Sequence, residues 1–250
     1  MTVAPHYIAT VPTGLESVAA EELRARTDPL EMEIRRGRIL LATGAPESTL
    51  RALRTVFRLF ARLGTIRNLP VDATGPAAIR RQVAGLDWAP AMALWRRWHP
   101  HAPEPPAFRA SVRRSGEHGY RSPEAAGAIG AGVRDRFDWP VNLDAPDLEV
   151  FGQLADSTLE LGLTLTPQSL HRRRYPATGR AGLKGPIAAA LVRLAAPGPG
   201  EVTLDPMCGV ATIPLEALHH QPRGWHLAGE LEVEALAAAR QNIGAAAAPR

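Results

Sequence analysis

Leu204-Asp205-Pro206-Met207-Cys208-Gly209-Val210-Ala211-Thr212-Ile213-Pro214 decides the fold class of this 250-residue chain. A β-prone run, Val202-Thr203-Leu204, ends in an acid. A tight turn follows, and Thr212 to His219 then reads as a helix. Strand, loop and helix N-terminus in that order is where an α/β sheet holds a nucleotide-like ligand. Trp225-His226-Leu227-Ala228-Gly229-Glu230 repeats the theme as a second strand ending in an acid, and Glu232 to Ile243 follows as an Ala-rich helix. An acid about 20 residues beyond the turn is where nucleotide-type folds grip ribose hydroxyls. Glu230 is the candidate for that role. The alternative is a solvated carboxylate at a strand end, and spacing alone leaves the two readings level. Doubly wound domains usually need about 100 residues or more, so the chain is expected to open such a domain without finishing it.

Composition bounds the class. Apolar residues make up 45% and charged residues 22%, the balance of an ordinary globular protein. No apolar run reaches the length of a membrane span, and Met1 to His6 carry no secretory pattern. A single cysteine excludes an internal disulfide framework and suits a reducing cytoplasm. Eight histidines and one cysteine give no paired ligand spacing, so no metal site is expected. The net charge of +4 permits a polyanionic partner.

Upstream, His6 to Val11 is a short β-prone run. Thr13-Gly14-Leu15-Glu16 reads as a capping box before a helical stripe of Leu15, Val18, Ala19 and Leu23. Strands are expected around Met32–Ile34 and Arg38–Leu41. Thr49 to Arg62 shows a helical period in Leu50, Leu53, Phe57 and Phe60. Pro100, Pro103, Pro105 and Pro106 make 99–106 a loop. Phe108–Val112 alternates as a strand and runs into a polar turn, Arg113 to His118. Ser122-Pro123-Glu124 opens a helix with Ser122 as N-cap. Leu148–Val150 and Leu159–Leu165 read as two more strands. The middle of the chain is thus an α/β module of its own.

Three blocks in order carry a family resemblance. The first is Ala9-Thr10-Val11-Pro12-Thr13-Gly14-Leu15-Glu16 with Glu21-Glu22-Leu23. The second is Phe108 to His118, Trp139-Pro140-Val141-Asn142-Leu143-Asp144, Leu159 to Leu165 and Ser169-Leu170-His171-Arg172-Arg173. The third is the Asp205-Pro206-Met207-Cys208-Gly209 turn with Thr212-Ile213-Pro214-Leu215-Glu216. Together they resemble the S-adenosylmethionine-dependent RNA methyltransferases that carry a THUMP domain, of the tRNA and rRNA guanine-N2 type. The resemblance implies an α/β chain with a ferredoxin-like domain at 1–66, a THUMP RNA-binding domain at 67–166, a linker at 167–182 and a Rossmann-like methyltransferase portion at 183–250. It implies S-adenosylmethionine as cofactor, held by Asp205, Pro206, Cys208, Gly209, Thr212, Glu230 and, as a minor contact, Lys184, which reads equally as an exposed lysine at a helix start. In this scheme Asp205 holds the amino group, Gly209 lets the backbone approach the ligand, and Thr212 caps the helix facing the carboxylate. Ala211 departs from the pattern, because the family usually has a second glycine there. A methyl at that point crowds the ligand unless the backbone stays at negative φ.

The RNA is expected to be tRNA, with 23S rRNA second. Arg113, Arg114 and His118, and the cluster Arg172, Arg173 and Arg174 beside Tyr175, are the candidate phosphate contacts. The bland reading of each cluster is a solvated face. Cys208 is expected to pack, since no base partner is placed beside it, and His219 and His220 are expected at a helix end. The Asn/Asp-Pro-Pro-Tyr tetrapeptide that positions the target base in this family occurs nowhere in the 250 residues. No catalytic residue is therefore named, and the chain by itself is expected to transfer no methyl group. Two other readings stay open: a non-catalytic THUMP RNA-binding protein, and a dinucleotide-dependent oxidoreductase, disfavoured because no Gly-x-Gly-x-x-Gly is present.

Overall fold

The computed structural model describes residues 4–171, 173, 175–177 and 182–247. In chain order the elements are β1 (His6–Thr10), α1 (Glu16–Thr27), β2 (Glu31–Arg35), β3 (Arg38–Ala42), α2 (Glu47–Arg51), β4 (Arg58–Ile66), α3 (Gly75–Ala84), α4 (Ala89–Trp98), β5 (Phe108–Ser115) and α5 (Ser122–Phe137). There follow β6 (Leu148–Ala155), β7 (Thr158–Thr164), α6 (Gly185–Ala195), β8 (Val202–Asp205), α7 (Thr212–His220), β9 (Trp225–Ala228) and α8 (Val233–Ala247). Residues 1–8 with 59–167 form one compact unit, and 9–58 with 168–250 form a second.

In the first unit the strand order is β4-β7-β6-β5. β6 and β7 form an antiparallel hairpin, β7 pairs antiparallel with β4, and β5 runs parallel to β6. The parallel pair needs a crossover, which α5 supplies. β6 alternates buried and half-buried residues, placing Leu148, Val150 and Leu154 in the core, while β7 is buried almost throughout. α5 lies close against α3: a Cβ on Gly132 would stand 2.6 Å from the Arg80 carbonyl oxygen, so only glycine fits that crossing. Arg80 and Asp135 join the same two helices by paired hydrogen bonds of 2.6 and 2.7 Å.

In the second unit β2 and β3 form an antiparallel hairpin. α1 packs against α6, and α6 against α7. β8 and β9 are parallel, with Asp205 opposite Ala228. One face of this pair is bare: Val202, Leu204, Trp225 and Leu227 are all more than half exposed.

Several local expectations change. Thr49 to Arg62 is not one helix: α2 stops at Arg51, and Phe60 sits in β4. The apolar spacing there fits a helix and a strand equally over so short a run. Arg113 and Arg114 lie on β5, which continues to Ser115, and not in the turn. Thr13 does not close a capping box. The residue before α1 is Leu15, and the Glu16 carboxylate accepts from the Gly14 and Gly37 N–H groups at 2.9 and 2.7 Å instead. Ser122 is the first helical residue and not the cap; Glu124 reaches back to the Arg121 N–H at 2.7 Å.

Candidate functional site

The site is built where β8 and β9 end side by side. The turn after β8 is braced to the turn after β9: the Cys208 N–H donates to the Gly229 carbonyl and the Gly229 N–H to the Asp205 carbonyl, both at 2.9 Å. Asp205 is half-buried, and its carboxylate accepts from the Met207 N–H at 3.2 Å. Pro206 and Met207 are exposed. Glu230 completes the frame. One of its oxygens accepts from the Gly209 N–H at 2.8 Å, the other from Leu231 and Glu232 at 2.8 and 3.0 Å. The Glu232 and Gly209 hydrogen bonds hold the Glu230 carboxyl below the usual carboxylate range. Asp205 and Glu230 thus lie at the same end of a parallel pair, and the Glu230 carboxylate is held by three backbone N–H groups.

The backbone of the turn is left-handed twice. Gly209 has φ +54° and Ala211 has φ +67°. A Cβ on Gly209 would meet nothing within 4 Å, so glycine serves the conformation there, with open space beside it. Ala211 is not at the negative φ that was expected to relieve crowding; it adopts the positive φ that a glycine would take without penalty. It is fully buried, packed with Cys208, Leu215 and Ala239 and flanked by Tyr175 and Ala228. Its methyl points into this cluster, which accounts for an alanine where the family pattern has glycine. Cys208 is a packing residue in the same cluster; burial, then the Asp205 and Glu230 charges, push its thiol up. Thr212 makes no side-chain cap, because the position before α7 is Ala211. Lys184 immediately precedes α6, exposed, with its ammonium 5.7 Å from the centre of the Phe57 ring.

One residue of this site escaped the sequence. Asn242 on α8 is 1% exposed; its side chain accepts from the Ala177 N–H at 2.9 Å and donates to the Ala177 and Val210 carbonyls at 3.0 Å. It ties the turn to the segment before α6. In sequence it closes the polar run Arg240-Gln241-Asn242, which reads as a solvated helix face and gave no signal of burial.

The expected RNA contacts fare differently. Arg113 is exposed. Arg114 donates to the Tyr120 carbonyl at 2.8 Å, and His118 contacts the Asp156 carbonyl at 2.6 Å, so both shape the loop after β5. Arg172 and Arg174 lie outside the described residues. Arg173 overturns its expectation. Its side chain is 6% exposed and paired at 2.8 Å with Glu216, itself 1% exposed. It also donates to the Leu170 and Arg54 carbonyls. Arg54 takes the rest of Glu216 through bonds of 2.8 and 2.9 Å. A run of arginines reads as surface, but a buried glutamate in the second turn of α7 draws one of them inside.

Residues 91–164 match the THUMP domain family, and residues 172–246 match the family described as RMKL-like, methyltransferase domain. The tRNA (guanine(6)-N2)-methyltransferase of Thermus thermophilus is 32% identical over 93% of this chain and 67% of its own length. The crystal structure of TrmN from Thermus thermophilus superposes with a TM-score of 0.77 at 30% identity, over 96% of this chain and 69% of that one. Bovine tRNA (guanine(6)-N(2))-methyltransferase THUMP3 is 37% identical over 56% of this chain, but the match spans only 28% of the bovine protein. SMU.472 complexed with SAH shares the fold, with a TM-score of 0.67 at 21% identity over 88% of this chain and 56% of that one. The chain belongs to the family of THUMP-containing guanine-N2 RNA methyltransferases.

Proposed function

We propose that this chain supplies the RNA-binding module and the cofactor turn of an S-adenosylmethionine-dependent guanine-N2 methyltransferase acting on tRNA in the cytoplasm. The observation that carries the reading is the convergence of Asp205, the Gly209 turn and Glu230 at the ends of two parallel strands. The donor set fits the cofactor. Carboxylates suit an ammonium and ribose hydroxyls, and the N-terminus of α7 suits a carboxylate. Pro206, Cys208 and Thr212 shape the turn, and Lys184 stands before α6. A carboxylate offers about four acceptor positions. Three on Glu230 are used by backbone N–H groups, so one ribose hydroxyl has a place, and a second requires release of the Gly209 N–H. Bound cofactor would supply an electrophilic methyl group; the part of these residues is to orient it.

The division into a ferredoxin-like domain (1–66), a THUMP domain (67–166), a linker (167–182) and a methyltransferase portion (183–250) belongs to the same proposal. Arg113, together with Arg172 and Arg174, remains the set for RNA phosphates, with 23S rRNA as the second substrate. Calorimetric titration of S-adenosylhomocysteine into the chain tests the reading. Binding is expected to weaken about 10-fold or more in Glu230→Gln, which removes the charge that strengthens hydrogen bonds from the ligand's hydroxyls. Retained tRNA binding without any cofactor binding would favour the non-catalytic RNA-binding reading.

A further inference from the structure

Within the second unit, a cavity of about 190 Å³ lies between α1, α6 and α7 and is lined by Glu22, Arg26, Arg54, Ala189, Arg193, Glu216, His219 and His220. It lies outside the cofactor turn. At about 30 Å³ per water it has room for a phosphate group and a few waters. We propose that this cavity binds a phosphate-sized oxyanion through Arg26, Arg193, His219 and His220.

The two carboxylates that line the cavity are already satisfied by donors of the protein. Glu22 is fully buried and accepts from the Arg54 and Thr55 N–H groups and the Thr55 hydroxyl, at 2.6–3.0 Å. Glu216 is taken by Arg54 and Arg173. Both acids therefore face inward. Arg26 and Arg193 approach Glu22 only at 3.9 and 3.5 Å, and their side chains are 37% and 25% exposed. Solvent reaches the guanidiniums and not the carboxylates, so an anion entering the cavity meets positive charge first. Guanidinium geometry suits a tetrahedral oxyanion.

The histidines add a second observation. They stand at the C-terminus of α7, where the helix dipole favours a positive charge. Yet burial, followed by Arg54, holds His219 below its ordinary value against the pull of Glu216, with Arg26 and Arg173 adding to the depression. Burial and Arg193 do the same to His220 against Glu22. A dianion among these groups reverses the sign of the field, so binding takes up protons and tightens as pH falls.

Sulfate is the probe, because its charge does not change between about pH 6 and 8, where histidine titrates. Titrated into the full chain at constant ionic strength, it is expected to bind at least about threefold tighter near pH 6 than near pH 8, with both histidine ring signals moving to higher pKa in NMR spectra. Arg193→Gln and Arg26→Gln are each expected to lose about tenfold. Should a variant fail to fold, the ring signals of the unaltered chain still test the site. Unmoved rings, or chloride acting as well as sulfate, would overturn the proposal. An acceptor-stem duplex with and without a 5′-phosphate then separates the sources. Loss in Arg193→Gln confined to the phosphorylated duplex points to a terminal phosphate, equal loss points to the backbone, and loss of sulfate binding alone points to a free anion. Only the duplex arm rests on the RNA reading, so the sulfate arm stands or falls by itself.

Discussion

Glu216→Gln tests the energetics of the second unit most directly. The carboxylate is 1% exposed and holds two guanidiniums, Arg173 at 6% exposure and Arg54 at 22%. The substitution keeps shape and volume but removes the negative charge, leaving Arg173 buried as an uncompensated cation. Burial already pushes Arg173 below its ordinary pKa, a sign of how much its charge depends on Glu216. Removing one partner of a buried pair costs about 3–5 kcal/mol, or roughly two to four orders of magnitude in the opening equilibrium. Hydrogen exchange followed by mass spectrometry reads this locally: peptides covering α7 are expected to lose about 3 kcal/mol or more of protection, or all they have if the unit is less stable than that. Peptides covering β6 and β7 provide the internal comparison. Adding Arg173→Met is expected to recover part of the loss, because the more deeply buried of the two guanidiniums is then gone and only the partly exposed Arg54 lacks its carboxylate. A loss below about 1 kcal/mol in α7, or no recovery in the double variant, would refute the reasoning.

Three further outcomes are expected. Ala211→Gly removes about 1–2 kcal/mol of left-handed strain but loses a buried methyl, about 0.8 kcal/mol, and adds about 0.4–1 kcal/mol of unfolded-state entropy. Its stability in a denaturant titration should therefore stay within about 1 kcal/mol of the parent, whereas Ala211→Val should cost about 2 kcal/mol or more through overpacking at a positive φ. Asn242→Ala leaves the Ala177 and Val210 partners unpaired and should cost about 1–3 kcal/mol in urea unfolding; an unchanged midpoint would remove Asn242 from the site. The folded pKa of Glu230 is depressed, so its hold on the turn is complete above the unfolded value and is lost as pH falls through the folded one. The Gly209 amide signal should titrate below the ordinary value of 4.5, and a midpoint at or above it would contradict the hydrogen bonds described.

The sequence by itself determined the elements with a strong local code. β8 and β9 each carry an apolar run before an acid, and Asp205-Pro206-Met207-Cys208-Gly209 marks the turn between strand and helix, so the places of Asp205 and Glu230 after two strands were legible, while spacing alone left the role of Glu230 open. The β5-α5-β6-β7 module was legible for the same reason: alternation and a Pro-led helix start depend on near neighbours. Tertiary structure decided what depends on distant partners. Phe60 joined a strand because β7 offers β4 a ladder that helical spacing could not foresee. Arg173 went inside because Glu216, far along the chain, offsets the cost of its burial. Ala211 took a positive φ because its methyl fits the Cys208, Leu215 and Ala239 cluster. Local sequence sets which backbone shapes are accessible; packing and charge pairing between remote segments choose among them.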